Sequence, residues 1–338
     1  MTLSQNLAYL LFLCCVVCII GPRDLLWDAV FDADVPRVQS LLAEDRSRRE
    51  IGRLTPDPLR IEKDTHRNAL MMCGYIDDER SRTEIDEACF AITQIMYDNG
   101  ANIALVDKYG WNVLAMAAVR GLTKTCELLL NLPIARGGDV YIDVNRQDND
   151  GMTPVLLAAG HGHIDTVEMF YNHPRAKANL YAVDKQSRSA LMLVVNMAAN
   201  NETAHLNTLQ KMAKLILNTS KRERQNVMDR NPGADIRRKK FLTIDYPVDK
   251  DGRTPLHYAV ISNSYSTVQL LLKYGADPRI TDSKGVSSTS MLRAHVNQNQ
   301  DVEEIRDLLL EAVVEITEKE HLAFMDVEGM TLDFSEGV

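Results

Sequence analysis

One short pattern recurs along this chain: Asp-x-x-Gly, at Asp107–Gly110, Asp148–Gly151, Asp249–Gly252 and Asp282–Gly285. A degenerate copy ends in serine at Asp184–Ser187, and a weaker one begins at Asp64. Successive starts lie 43, 41, 36, 65 and 33 residues apart. Each is followed by a short apolar stretch with helical spacing, a turn, and a second apolar stretch. A period near 33 residues with insertions predicts stacked helix-turn-helix units, because no single unit of that kind can bury its apolar face alone. Glycine and proline are scarce, 17 and 11 of 338 residues, which fits helices and disfavours loop-rich all-β classes.

The residue types within the period have physical reasons. Thr153-Pro154 and Thr254-Pro255 open the first stretch: the threonine hydroxyl can cap a helix, and proline suits a first turn, where no N–H is needed. Ala158 and Ala159 let two helices approach closely. Val167, Val268 and Leu270 to Leu272 supply the apolar stripe of the second helix. Gly100 and Gly275 fit the left-handed position that ends such a helix.

Thr-Pro-Leu-His-Tyr-Ala at 254–259, Gly162-His163 and Leu-Leu-Leu-Lys-Tyr-Gly-Ala-Asp at 270–277 closely resemble the ankyrin repeat family. Asn-Gly-Ala-Asn at 99–102 resembles the turn that ends its second helix. The resemblance runs from about Leu25 to Lys319 and implies an all-α ankyrin-type solenoid with hairpin loops, of about six to seven repeats with insertions. Residues 25–43 look like a first repeat without its hairpin. Expected insertions lie at Arg46–Lys63, Asp77–Glu87, Pro133–Tyr141 and Asn218–Pro247. Asn263-Ser264 replaces the usual Gly-His, and asparagine tolerates the left-handed turn. Apolar residues recur at helical spacing over 302–317, which suits a terminal cap.

Charge is unevenly distributed. The chain is net −9, yet residues 301–338 hold twelve acids and two bases, while Lys221–Lys240 holds eight bases and three acids. That balance excludes a uniformly basic nucleic-acid binder. The basic insertion reads as a solvated loop, a contact for an acidic partner or an anionic surface, or a site of intramolecular attraction to the acidic end. Three of six cysteines crowd residues 14–18, leaving Cys73, Cys89 and Cys126, an odd set that forms no closed disulfide framework.

Residues 7–21 form an uncharged apolar run of fifteen, with Arg23 and further arginines after it. A signal anchor, a cleaved signal peptide, and a buried or misassigned start all remain open. The expected organisation is a hydrophobic segment over 1–22, a repeat domain over 25–319 and an acidic tail over 320–338. The repeat domain is expected to face the cytosol at a membrane contacted by residues 7–21. The alternatives are a secreted or a cytoplasmic protein.

No catalytic, cofactor or metal site is expected. His161 and His163 could suggest a metal pair, but no Cys or carboxylate lies nearby at ligand spacing. His163 reads as the inter-helix turn residue, His161 as exposed. In this motif His257 is expected to bond the backbone of a neighbouring repeat. There is no Walker, Gly-x-Ser-x-Gly or His-Glu-x-x-His pattern.

The resemblance implies a non-catalytic scaffold or adaptor for an unidentified protein partner, with no nucleic acid and no small-molecule substrate. Aligned with the motif, the partner-binding residues are Lys108, Tyr109, Trp111, Arg120, Asn149, Asp150, Met152, His161, Lys250, Asp251 and Arg253. Tyr109 and Trp111 are the expected anchors, since aromatics and arginine are favoured at hot spots. The competing readings are a secreted effector of the same fold and a metal-dependent hydrolase built on His161 and His163.

Overall fold

The structure is a computed structural model, and it describes residues 25–49, 67, 69–75, 80–134, 138–198, 202–230, 241–294 and 300–327. The apolar run at 7–21 lies outside the described residues. Among those described, no helix is long and apolar enough to cross a membrane.

Pairs of short helices follow the sequence pattern. Helices α1 (Leu25–Phe31) and α2 (Val35–Arg49) form the first pair, and a 3-10 turn (Ala69–Tyr75) precedes α3 (Arg82–Asp98). Next come α4 (Val113–Arg120) with α5 (Thr123–Asn131), and α6 (Pro154–Gly160) with α7 (Ile164–Asn172). They are followed by α8 (Ala190–Ala198) with α9 (Glu202–Arg230), α10 (Pro255–Ile261) with α11 (Tyr265–Lys273), and α12 (Ser288–Ala294) with α13 (Gln300–Val327). Among the described residues the loops form isolated β-bridges rather than strands.

The chain divides into two compact units. Unit 1 holds residues 1–117 and 124–142, and unit 2 holds residues 118–123 and 143–338. In unit 2 the first helices α6, α8, α10 and α12 pack in series, as do the second helices α7, α9, α11 and α13. First helices are covered almost all round: Pro154 to Ala159 are all buried in α6. Second helices bury one stripe, Ile164, Thr166, Val167 and Phe170 in α7 and Thr267, Val268 and Leu271 in α11. Leu270 and Leu272, expected inside, are only half-buried, because the helical period turns just one of three consecutive leucines inward.

The threonine caps form as their chemistry demands. The Leu156 N–H donates to Thr153 Oγ1 at 3.3 Å. At Thr254 the cap is reciprocal: its N–H donates to His257 Nδ1 at 3.1 Å. An accepting Nδ1 puts the ring proton on Nε2, which lies 3.2 Å from the Val286 carbonyl of the next repeat. His257 is thus a fully buried tie between repeats, and burial lowers its pKa.

Three of the expected insertions are helical over part of their length. Residues 82–87, within the charged stretch expected to interrupt the second repeat, form the first turn and a half of α3. Ser81 and Glu84 cap it reciprocally, at 2.8 and 3.3 Å. Asp86 is buried there, and its carboxylate accepts the N–H groups of Lys124 (2.8 Å) and Thr125 (2.9 Å) at the start of α5. The stretch from Asn218, expected as an insertion after the fifth repeat, is helix as far as Arg230: α9 has 29 residues where α7 and α11 have nine. The first insertion likewise begins as helix, since α2 runs to Arg49. Helix α13 also continues through residue 320, where the acidic tail is expected to begin.

One buried carboxyl has a pH consequence. Asp245 Oδ2 accepts the Asp277 N–H at 3.0 Å, while its Oδ1 is buried without a hydrogen-bond partner. Burial pushes the Asp245 carboxyl up to about 7, with the nearby Asp277 charge adding to the shift and the Asp277 N–H opposing it. In the unfolded chain the same group ionises near pH 4. The native state therefore holds an extra proton between about pH 4 and 7, and its stability falls as pH rises through that window. Asp245→Asn should raise stability at pH 8 by on the order of 2 kcal/mol and leave it nearly unchanged at pH 4. Paired urea titrations at the two pH values test this, and equal gains at both would refute it.

Candidate functional site: a row of hairpins

Each described copy of the Asp-x-x-Gly pattern builds the same loop, and the weaker copy expected at Asp64 lies outside the described residues. In the hairpin 148–152, Asp148 Oδ1 accepts the N–H groups of Asp150 and Met152, both at 2.8 Å. Asp107, Asp184, Asp249 and Asp282 do the same two and four residues on. The carboxylate needs only short-range partners, so the loop forms from local sequence. Ser187 adopts the left-handed conformation, φ 62°, that glycine takes in the other copies.

In unit 2 the hairpins are then bonded to one another. The Lys185 N–H donates to the Asp150 carbonyl at 3.0 Å, Lys250 to Gln186 at 3.1 Å, and Ser283 to Asp251 at 2.7 Å. Hairpins 148–152, 184–188, 249–253 and 282–286 thus stand in one ordered row. The backbone at the tips is consumed by stacking. What is left for a partner is side chains: Asn149, Asp150, Lys185, Gln186, Lys250, Asp251, Ser283 and Lys284 are all exposed.

The residue after each glycine or serine lies deeper. Met152, Arg188 and Arg253 are half-buried. Arg188 is held by Asp184, with Nε and Nη2 each 2.7 Å from Oδ2, and Arg253 Nη1 lies 3.5 Å from Asp251. Asp249 also accepts from the Tyr258 hydroxyl at 2.7 Å. His161, expected to be exposed, is half-buried, with Nδ1 2.9 Å from the Leu157 carbonyl. Burial lowers its pKa, the hydrogen bond with the Leu157 carbonyl opposes that shift, and the charge of Arg120 adds to it. The His161 and His163 rings stack 6.5 Å apart at 15°, and His163 Nε2 lies 2.9 Å from the Val119 carbonyl. Each imidazole is thus engaged with backbone. Among the described residues no three His, Cys, Asp or Glu side chains gather to hold a metal ion.

Unit 1 carries its own copy, 107–111. Here Lys108 is exposed, Tyr109 is 39% exposed and Trp111 is half-buried. The Lys108 ammonium lies 5.2 Å from the Tyr109 ring centroid, and the Arg67 guanidinium 5.9 Å. Arg67 is itself buried and donates to Asp107 Oδ2 at 2.8 and 3.0 Å. Arg67, Lys185, Gln186, Arg188, Ser283 and Lys284 are absent from the sequence-derived set. Arg188 was open to discovery, because it holds the slot of Met152 and Arg253 in the degenerate copy. Arg67 gave no signal, since its partner is forty residues away.

Residues 86–184 match the family model of ankyrin repeats in three copies, and residues 251–283 match the single ankyrin repeat. The helices and hairpins described for these residues agree with the match, so the chain carries ankyrin repeats over 86–184 and 251–283. In particular, it is 42% identical over 48 residues to the ankyrin repeat and LEM domain-containing protein 1 homolog of Caenorhabditis elegans, covering 14% of this chain and 7% of that protein. It is 31% identical over 107 residues to the probable 26S proteasome regulatory subunit p28 of Saccharomyces cerevisiae, covering 32% of this chain and 43% of that one. The chain thus spans less than half the length of the curated relatives it matches. Among solved structures, the ankyrin repeat domain of Bcl-3 aligns with 85% of this chain and 99% of that one, at TM-score 0.52 and 18% identity. The human ASB11 ankyrin repeat domain aligns with 84% and 96%, at TM-score 0.53 and 16% identity. These two likenesses concern the fold alone.

Proposed function

We propose that this chain is a non-catalytic scaffold that binds a protein partner through the side chains of its hairpin tips. The observation that carries this reading is the ladder Asp150–Lys185, Gln186–Lys250, Asp251–Ser283, which spends the backbone of the tips on stacking and presents a rigid row of polar side chains. A pre-ordered row loses little conformational entropy on binding. In unit 2 the contact residues are Asn149, Asp150, Met152, Lys185, Gln186, Arg188, Lys250, Asp251 and Arg253, with Arg120 and His161 beside them. In unit 1 they are Lys108, Tyr109 and Trp111, with exposed Tyr109 ahead of half-buried Trp111 as the anchor.

The test starts with a photo-crosslinking residue at Gln186 to capture the partner, followed by titration of the purified pair. Tyr109→Ala should weaken binding by about 2 kcal/mol, the usual hot-spot threshold, while the melting temperature barely moves. A crosslink at Lys273 on α11 serves as the control. Capture there but not at Gln186, or unchanged affinity in both Tyr109→Ala and Arg253→Ala, would move the binding surface elsewhere.

A further inference from the structure

The first half of the basic stretch that the hairpin reading leaves unused, Lys221–Arg230, is a mounted helix. From Lys221 to Arg230, α9 runs on past the length of its neighbours α7 and α11. Three contacts hold it. Arg222 stacks on Tyr171, 4.9 Å from the ring centroid, and donates to its hydroxyl at 2.5 Å. The Tyr181 hydroxyl donates to Glu223 and accepts the Leu242 N–H at 2.8 Å. Arg224 lies 5.4 Å from the Phe241 ring centroid.

The acids of this segment are already engaged. Glu223 belongs to Tyr181, and Asp229 accepts from Gln225 at 2.7 Å. Its cations have no carboxylate partner among the described residues, and Lys221, Arg222, Arg224 and Arg230 are exposed. At the base of the extension a groove of about 430 Å³ opens between α7 and α9. Tyr171, Lys211, Lys214, Asn218 and Arg222 line it, along with the acid Glu168. Asp165 takes Lys211 at 2.9 Å, while Lys214 is exposed and has no carboxylate partner among the described residues.

We infer that the α7–α9 groove and the exposed turns of α9 beyond it form a second interaction surface, which takes an acidic polypeptide segment. Lys214 and Lys221 attract its carboxylates, and Arg222 and Arg224, each held beside an aromatic ring, can take them bidentately. Asn218 and the Tyr171 hydroxyl offer polar contacts to the segment within the groove. A membrane fits less well. Met228 is the only large apolar side chain exposed on these turns, so the helix has no apolar face to insert. This surface is separate from the hairpin tips and does not rest on the hairpin reading.

The test titrates the full chain into a fluorescein-labelled acidic peptide of about a dozen residues, glutamates interspersed with leucine, read by anisotropy. Duplex DNA and phosphatidylserine-containing vesicles form the comparison arms. Lys214→Glu with Lys221→Glu should weaken peptide binding by about tenfold or more and flatten its salt dependence. Lys250→Glu with Lys284→Glu, an equal charge change at the hairpin tips, should change it by less than about twofold. Equal losses in both pairs would mean unspecific attraction and overturn the proposal. So would an absence of saturable binding, or tighter binding to DNA or vesicles than to the peptide. If the first pair fails to fold, a benzophenone-bearing version of the peptide should label α7 and α9 of the unmodified chain, and labelling elsewhere would refute the site.

Discussion

Phe170→Ala should lower the stability of unit 2 by about 3–5 kcal/mol. Phe170 lies on the buried stripe of α7, is fully buried, and heads the largest side chains of the core. Truncation removes the ring's transfer free energy and leaves a cavity. Its helix packs on two elements already fixed by other packing, α6 within the repeat and α9 in the next. Neither can close the gap without losing its own contacts, so the cost should sit at the high end for a core deletion. Urea titration should show a lower midpoint with an unchanged slope. In a stack coupled through nearest neighbours, hydrogen-exchange protection should fall most in α6 to α9 and least in α13. A loss below about 1 kcal/mol would show that the ring is not held in a packed core.

Gly151→Ala should cost roughly 3 kcal/mol and Gly285→Ala only about 1. Both glycines end an Asp-x-x-Gly turn with nearly the same backbone, φ 79° and 75°. The penalty for placing a side chain in the left-handed region is therefore shared. Their surroundings differ. A Cβ at 151 would lie 2.8 Å from the Lys185 nitrogen and 3.1 Å from the Asp184 carbonyl carbon, while one at 285 would meet nothing within 4 Å. The obstacle at 151 is backbone and cannot rotate away. The next hairpin must shift, and the 3.0 Å bond from Lys185 to the Asp150 carbonyl is lost. The difference between the two variants, read from chemical denaturation, measures hairpin stacking directly. Equal costs would mean that the row does not hold together in solution.

The features legible in the sequence are those whose partners lie within a few residues. The Asp-x-x-Gly loop closes by hydrogen bonds from two and four residues on, so its recurrence announces the loop in every copy, including Asp184, where serine replaces glycine. The Thr-Pro helix starts are equally local. Leu271 was readable as a core position from its place in a 3.6-residue stripe, and it is fully buried. Its neighbours Leu270 and Leu272 were over-read, because a run of three leucines does not say which one faces in. Trp111, expected as an anchor beside a hairpin glycine, is half-buried, which composition does not report.

The sequence alone determined the helix-turn-helix period, the hairpin geometry and the repeat type, because each rests on bonds or stripes that repeat over short distances. Tertiary structure alone decided which of those hairpins become a surface. The ladder joins residues 32 to 64 positions apart, Arg67 meets Asp107 across forty, and Arg222 finds Tyr171 across 51. A charged stretch such as Asp77–Glu87 reads as an interruption of its repeat, and Lys221–Lys240 as a solvated loop or an acidic contact, until partners are in place. Asp86 becomes a helix cap only when α5 stands over it, and the end of α9 stays helical where Tyr171, Tyr181 and Phe241 hold it. The physical reason is the same in each case. A charge lowers the free energy of a particular backbone only through the donor or ring it meets, and that neighbour is chosen by the packing of the stack.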